Sequence, residues 1–296
     1  MNALRGTGVA LVTPFTPSGA VDISALHRLV NHVIEGEVDF LVILGTTGES
    51  ATLNESEKAL VTETIIESNG GRIPYVIGCG GNNTAKVCQE IGELGAKYAP
   101  AAFLSVSPYY NKPTQAGLYE HFKAVSNSTD RDIILYNVPG RTAMNMQTST
   151  SLKLARELSN ITAIKDASGD LEEGMDLVMG RPDGFRVLSG DDTLTLAQIG
   201  VGFEGVISVA ANAIPRQFTA MVNAALAGDY TTAQLRQYEI LKLMRLFFAE
   251  GNPAGVKAGL ETVRICGRSV RLPLIQASDA LSESIAREMR PLLEMS

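Results

Sequence analysis

The chain contains no tryptophan, and its 296 residues include three histidines and three cysteines. The odd number of cysteines and the lack of CxxC spacing argue against a disulfide framework. Long apolar runs are missing too, because a stretch such as residues 40–44 is far shorter than a membrane span of about 20 residues. Pro14 interrupts the N-terminal apolar segment too early for a signal peptide. These absences predict a soluble, cytoplasmic protein.

Runs of basic residues are also absent. The 25 lysines and arginines are outnumbered by 32 aspartates and glutamates, which gives a formal net charge of −7. An acidic chain without a basic run is a poor candidate for binding the phosphate backbone of nucleic acids. A hydrophobic share of 45% and a charged share of 19% are typical of a folded globular protein and argue against disorder.

Short β-branched or apolar runs alternate with longer segments of helical spacing. We predict strands at residues 9–15, 39–45, 74–80, 101–107, 132–138, 161–168, 185–191 and 204–210. Strand–helix units repeated at roughly 30-residue spacing predict a parallel sheet that closes into a (β/α)8 TIM barrel of the α/β class. A doubly wound open sheet is the alternative, but no GxGxxG turn follows the first strand.

Helical patterns replace strand patterns from about residue 212 onward. We predict helices at residues 214–227, 231–249, 253–265 and 279–292. The first of these can serve as the eighth helix of the barrel, so we expect a catalytic barrel at residues 1–228. The remaining residues, 229–296, are expected to form a helical C-terminal domain that packs on the barrel. Earlier in the chain, Asn54 with Glu57 three residues later predicts a capped helix start.

Lys165 is unusual because it lies within a predicted strand among apolar or small residues. If the alternation of the strand points the side chain inward, the amine loses hydration, which favours its neutral form. A neutral amine can attack a carbonyl group and form an imine. The alternative is a lysine that extends from the strand end into solvent or pairs with Asp166. The strand pattern alone leaves both interpretations open.

Other polar residues follow predicted strands, where barrels place their active sites. Tyr136 ends the neighbouring strand, and its phenol can move protons during imine formation. Thr46 and Thr47 can relay protons through their hydroxyls or bind a carboxylate through their backbone amides, although a simple strand-ending turn explains the pair better when it is taken alone. Arg141 follows a Pro-Gly turn and suits a bidentate contact with a carboxylate, its alternative role being a surface salt bridge.

Candidates for metal chemistry are weak. The histidines all fall in predicted helices: His27, His32 and His121. Their absence from strand ends argues against a histidine-ligated zinc or iron site and against a histidine base. Asp166, Asp191 and Asp192 are an alternative magnesium site, but aspartates at strand ends commonly cap the following helix.

Six segments in chain order carry a resemblance to a known family: GTTGES (45–50), SPYYNKP (107–113), YNVPGRT (136–142), IKDASGD (164–170), LSGDD (188–192) and GVISV (205–209). NPAGVK (252–257) extends the likeness into the C-terminal helices. On these segments the chain resembles the dihydrodipicolinate synthase family, within the pyruvate-dependent class I aldolases and lyases that include N-acetylneuraminate lyase. SPYYNKP together with YNVPGRT is the part most specific to the synthases.

The resemblance implies a lyase of lysine and diaminopimelate biosynthesis. Such an enzyme condenses pyruvate with L-aspartate 4-semialdehyde to give 4-hydroxy-tetrahydrodipicolinate. By this resemblance, Lys165 forms the imine, or Schiff base, with pyruvate, while Tyr136, Thr47 and Tyr110 relay protons. Tyr110 would reach the active site of a neighbouring subunit, since the family usually forms a homotetramer built as a dimer of dimers. No metal or organic cofactor is implied.

The resemblance also assigns substrate-binding residues. The amides of Thr46 and Thr47 would hold the carboxylate of pyruvate, and Arg141 would hold the carboxylate of the semialdehyde. Gly190 and Ile207 would line the pocket. A sister lyase acting on N-acetylneuraminate or keto-deoxy-sugar acids is the alternative activity, and Arg141 argues against it because a sugar needs hydroxyl partners. A catalytically silent binding protein is a further alternative.

One departure from the family concerns feedback inhibition by lysine. The family's lysine site corresponds here to Ser50, Ala51, Glu55, Lys58, Asn82, Lys86 and Tyr109. Lysine-sensitive members typically carry histidines near Glu55 and Lys58, and a glutamate where this chain has Lys86. A cation at position 86 would repel the ammonium group of the ligand. We therefore expect weak inhibition by lysine or none.

Overall fold

The computed structural model describes residues 4–294. Its strands are parallel and follow one another in chain order around a closed barrel. The strands are β1 (Gly6–Ala10), β2 (Phe40–Ile43), β3 (Tyr75–Gly78), β4 (Ala102–Val106), β5 (Asp132–Asn137), β6 (Ile161–Asp166), β7 (Arg186–Ser189) and β8 (Gly205–Ser208). The predicted barrel with C-terminal helices is therefore confirmed.

The helices predicted from residue 214 onward are present, and further helices follow the strands of the barrel. They are α1 (Ile23–Glu35), α2 (Glu55–Asn69), α3 (Thr84–Tyr98), α4 (Gln115–Ser126), α5 (Pro139–Thr142), α6 (Thr148–Glu157), α7 (Leu171–Gly180), α8 (Thr195–Gly200), α9 (Pro215–Leu226), α10 (Tyr230–Phe248), α11 (Ala254–Thr262) and α12 (Asp279–Glu294). The predicted capping box is present, since the Asn54 side chain accepts from the Glu57 amide and Glu57 Oε2 accepts from the Asn54 amide.

The first strand begins and ends earlier than the predicted range of residues 9–15. The amide of Leu11 still donates to the Val42 carbonyl, but the amide of Val12 donates to Asn212 Oδ1 at 3.1 Å instead. Asn212 Nδ2 also donates to the Ala10 carbonyl at 2.8 Å. An asparagine far away in sequence therefore ends β1 by taking over its hydrogen bonds, and an apolar run does not reveal such an end.

The chain divides into two compact units. One contains residues 74–207, and the other contains residues 6–73 together with the chain from residue 208 onward. In the second unit, α10 packs against α9, α11 and α12, and α1 packs against α9. The expected boundary between a barrel and a helical domain at residues 228 and 229 stays a prediction. Among the described residues, the helices lack the length and apolar character needed to cross a bilayer.

Candidate active site

Lys165 and Tyr136 lie side by side near the carboxyl ends of β6 and β5. They are register partners in the parallel ladder, so their side chains leave the sheet on the same face. Lys165 Nζ lies 4.4 Å from the centre of the Tyr136 ring. The two residues are 5% and 8% exposed. The structure thus brings together a buried amine and a phenol ring, both predicted as site residues.

Asn137 and Asp166, which follow Tyr136 and Lys165 on their strands, belong to a separate polar network. Asn137 Nδ2 donates to Asp166 Oδ1 at 3.1 Å, and Ser168 Oγ donates to Asp166 Oδ2 at 2.8 Å. Burial raises the pKa of Asp166, and these two hydrogen bonds oppose that rise. Among the described residues Asp166 has no ion pair with Lys165. The alternative in which the two residues pair is therefore not observed.

Arg141 lies in the short helix α5, directly after β5. Its backbone amide donates to the Val138 carbonyl at 2.9 Å, which closes the turn predicted from Pro-Gly. The side chain is exposed, and within residues 4–294 its guanidinium forms neither a hydrogen bond nor an ion pair. The planar donor group is thus available to a carboxylate ligand.

Gly190 follows β7 at a point of close backbone approach. Its amide donates to the Asp166 carbonyl at 2.7 Å. A Cβ atom at this position would lie 2.5 Å from the Cβ of Ala167 and 3.0 Å from the backbone carbonyl oxygen of Asp166. No larger residue fits without moving the end of β6, which carries Lys165. Ile207 is 1% exposed and lies in β8.

Tyr109 and Tyr110 lie in the loop after β4. Tyr110 has a φ angle of 72° and is 89% exposed, and Tyr109 is 43% exposed. Asn82 Nδ2 donates to the Tyr109 carbonyl, and Asn111 Nδ2 donates to the Asn82 carbonyl, both at 3.2 Å. These bonds tie the loops after β3 and β4 together. The Tyr110 ring is therefore presented to solvent from a fixed backbone.

Thr46 and Thr47 form a 3₁₀ turn directly after β2, in the second unit. Thr47 is 3% exposed, whereas Thr46 is exposed. Asn252 Nδ2 donates to Thr47 Oγ1 at 2.9 Å. The turn ends at Glu49, which has a left-handed φ of 52°. The predicted strand-ending turn is thus present, and its buried hydroxyl has a specific hydrogen-bond donor.

A buried ion pair that the sequence analysis missed lies beside this turn. Lys257 Nζ contacts Glu49 Oε1 at 2.6 Å, and both side chains are nearly inaccessible to solvent. Nζ also donates to the Ser269 carbonyl at 2.7 Å, and Glu49 Oε2 accepts from the Arg271 amide at 2.9 Å. Burial lowers the pKa of Lys257, and the charge of Glu49 opposes that change. A lysine within the apolar run AGVKAGL was the available signal.

The residues of the expected lysine site lie in a 3₁₀ turn, in α2, in α3 and in the loops after β3 and β4. Ser50 and Ala51 belong to a second 3₁₀ turn. Glu55 and Lys58 form an ion pair at 3.0 Å in the first turns of α2. Lys86 Nζ lies 3.5 Å from Glu90 Oε1 on α3, and the Lys86 side chain is 66% exposed. The cation predicted to repel the ligand is thus only partly neutralised by a neighbour on its own helix.

The histidines that were considered as metal ligands lie in helices, and Asp191 binds backbone amides. The histidines lie in α1 and α4, as predicted. Asp191 Oδ1 accepts from the amides of Thr193 and Leu194 and so closes a turn ahead of α8. It does not cap that helix, whose N-cap is Leu194 and has no side-chain cap. Among the described residues, no group of three or more histidine, cysteine, aspartate or glutamate side chains could hold a metal ion.

The sequence matches one family over nearly its whole length. The model of the dihydrodipicolinate synthetase family matches residues 3–291. A 4-hydroxy-tetrahydrodipicolinate synthase of Flavobacterium psychrophilum is 48% identical over 286 residues, which cover 96% of this chain and 97% of that protein. A 4-hydroxy-tetrahydrodipicolinate synthase of Parabacteroides distasonis is 44% identical over 289 residues, with 98% and 97% coverage.

Solved structures agree with the sequence matches. The dihydrodipicolinate synthase of Aquifex aeolicus superimposes with a TM-score of 0.94 at 38% identity, covering 98% of both chains. That of Thermotoga maritima gives 0.94 at 36% identity with the same coverage. A monomeric dihydrodipicolinate synthase variant gives 0.94 at 36% identity, covering 98% of this chain and 97% of that one.

Proposed function

The chain belongs to the dihydrodipicolinate synthetase family and is a lyase, and we propose that it condenses pyruvate with L-aspartate 4-semialdehyde through an imine on Lys165. The product is 4-hydroxy-tetrahydrodipicolinate, an intermediate on the way to diaminopimelate and lysine in the cytoplasm. The observation that carries this proposal is the buried Lys165 amine 4.4 Å from the Tyr136 ring. The reaction needs no metal and no organic cofactor.

The proposed chemistry uses the amine as a nucleophile. The neutral amine of Lys165 attacks the ketone carbon of pyruvate, and loss of water leaves an imine. Loss of a methyl proton gives an enamine, whose terminal carbon attacks the aldehyde carbon of the second substrate. The amino group of that substrate then displaces Lys165 from the imine carbon. This step closes the ring and frees the lysine for another turnover.

The other predicted residues support these steps. Tyr136 and Thr47, with Tyr110 from a neighbouring subunit, move protons during imine formation and exchange. The backbone amides of Thr46 and Thr47 bind the carboxylate of pyruvate. Gly190 and Ile207 line the pocket: Gly190 stands at a close backbone approach, and Ile207 is buried in its strand.

Arg141 selects the second substrate through its carboxylate. Because the guanidinium has no partner within the described chain, a substrate carboxylate meets no internal competitor for it. Replacing Arg141 with alanine is expected to raise KM for aspartate semialdehyde by about 10- to 100-fold, while KM for pyruvate changes little. Arg131→Ala, at an exposed arginine elsewhere in the same unit, is the control.

The same assay separates this activity from that of a sister lyase. Initial rates are measured with pyruvate and either aspartate semialdehyde or N-acetylmannosamine. Turnover with the semialdehyde and none with the sugar is the expected result. A preference for the sugar would replace the proposal with the neuraminate-lyase alternative.

We also propose that lysine inhibits this enzyme weakly or not at all. The observation in favour is Lys86, whose side chain is 66% exposed beside its Glu90 partner and whose ammonium would repel the ammonium of a bound lysine. Steady-state rates with added lysine test this proposal, and half-maximal inhibition at sub-millimolar lysine would contradict it. Lys86→Glu is expected to raise sensitivity, whereas Lys123→Glu on α4 is not.

A further inference from the structure

We propose that Asn252 is a positioning residue that sets the direction in which the Thr47 hydroxyl transfers a proton. This inference rests on the proposed role of Thr47 in proton relay. It concerns a residue outside the predicted relay, in the segment that leads into α11.

The direction follows from the chemistry of the contact. A threonine hydroxyl has one proton to donate and two lone pairs that accept, whereas the amide nitrogen of asparagine only donates. Asn252 Nδ2 donates to Thr47 Oγ1 at 2.9 Å, so this bond occupies one lone pair and leaves the hydroxyl proton free. The hydroxyl can still accept one proton and donate another, which is what a relay requires. An acceptor in the same place would bind the proton and stop the relay.

The Asn252 side chain is held near Thr47 because the segment that carries it has a second contact with the turn after β2. The segment that carries Asn252 continues into α11, where Lys257 forms the buried ion pair with Glu49. Asn252 and Lys257 therefore contact the turn after β2 at Thr47 and at Glu49, two residues apart. These two contacts keep the turn and the Asn252 segment together, so Asn252 Nδ2 stays within hydrogen-bond distance of the Thr47 hydroxyl.

A purely structural role explains Asn252 poorly. The residue is 9% exposed, and its Oδ1 is buried without a hydrogen-bond partner among residues 4–294. A buried acceptor without a partner destabilises the fold, so an apolar side chain of similar size would serve packing better. The donor contact with Thr47 is the feature that an apolar residue cannot supply.

Two variants test the role. Asn252→Leu keeps the branched shape of the side chain but removes the donor, and we expect kcat to fall by about 10-fold while the urea midpoint is unchanged or higher. Asn252→Asp places an ionised acceptor against Thr47, and we expect kcat at pH 8 to fall by about 100-fold. As the pH is lowered, the introduced carboxyl becomes protonated and can donate again. The ratio of the Asn252→Asp rate to the wild-type rate should therefore rise toward acidic pH.

A double-mutant cycle separates the relay from a general electrostatic effect. In a Thr47→Val background, both Asn252 substitutions should change kcat by less than about 2-fold, because the hydroxyl they act on is gone. Equal effects in the two backgrounds would overturn the proposal. So would a lower urea midpoint with wild-type kcat in Asn252→Leu, which is what a packing role predicts.

A separate experiment tests the imine on Lys165, on which the role of Asn252 depends. Borohydride reduction of wild-type enzyme with pyruvate should give a mass adduct on Lys165. If that adduct is absent, both the imine mechanism and this inference fall. If the adduct forms and both Asn252 variants turn over at wild-type rates, the imine mechanism stands and the role of Asn252 is overturned.

Discussion

At the scale of single residues, the site depends on a buried amine that lies beside an aromatic ring. Lys165 and Tyr136 are register partners, so strand pairing alone brings them together. The strand pattern singled out Lys165, because a charged side chain is rare within an apolar strand, but it left open whether the amine is buried or extends into solvent. The position of Arg141 could be predicted as well, because the Pro-Gly turn before it follows a strand directly.

Tyr136→Phe tests the phenol. The ring still packs against Lys165, but the proton-transferring oxygen is lost, so we expect kcat to fall by about 100-fold or more with little change in stability. Steady-state kinetics and thermal unfolding measure the two effects. Tyr119→Phe serves as the control, because its hydroxyl contacts Glu157 on an exposed surface. A Tyr136→Phe enzyme with near wild-type kcat would remove the phenol from the mechanism.

At the scale of elements, residues from late in the chain fix earlier turns and strand ends. Asn212 ends β1, and Asn252 and Lys257 hold the turn after β2. The sequence pattern could not predict these contacts, because the partners are separated by about 200 residues and asparagine carries no periodic signal. The order of the strands and the C-terminal helices could be predicted because they depend on local spacing of apolar residues, whereas the end of β1 could not.

Lys257→Met tests the buried ion pair. Removing the lysine leaves Glu49 buried without its cation, so we expect the free energy of unfolding to fall by about 3–5 kcal/mol in urea titrations. Lys242→Met is the matched control on a surface ion pair with Glu288, and it should cost at most about 1 kcal/mol. Equal losses in the two variants would show that the buried pair has no special role.

His121 on α4 makes stability depend on pH. Burial lowers its pKa to about 4, from an ordinary value near 6.5. The unfolded chain therefore binds the proton more tightly than the folded chain. The stability that depends on neutral His121 is fully present above about pH 6.5 and is lost as the pH drops toward 4.

Urea unfolding at pH 7 and pH 5 measures this effect. We expect His121 to account for about 2 kcal/mol of the loss between the two values, and His121→Gln to lack that part. His27→Gln, at a partly exposed histidine, should behave as wild type. An unchanged pH dependence of stability in His121→Gln would show that this histidine does not cause it.

At the scale of the whole molecule, the predicted fold class is confirmed, because the eight strands pair in chain order around a closed barrel. The proposal at this scale is a homotetramer, a dimer of dimers. Exposed apolar side chains favour it: the Tyr110 ring, and a stripe on α7 at Leu171, Met175 and Met179. A single-chain sequence pattern cannot distinguish such a surface from an ordinary exposed face.

Met179→Glu tests the assembly. Met179 is 82% exposed, so the new charge should not harm the folded chain, but it would be buried in an interface that covers α7. We expect sedimentation velocity to show tetramers for wild type and smaller species for the variant. Gln89→Glu adds the same charge to an exposed position on α3 and should remain tetrameric. A wild-type monomer, or an unchanged Met179→Glu tetramer, would contradict this use of α7.

The most direct test of an imine between Lys165 and pyruvate is the mass of the protein after borohydride treatment with pyruvate. Wild type is expected to gain the mass of one reduced pyruvate per chain, located on the peptide that contains Lys165, and Lys165→Ala is expected to gain none. An unmodified wild-type protein, or an equal gain in Lys165→Ala, would contradict it.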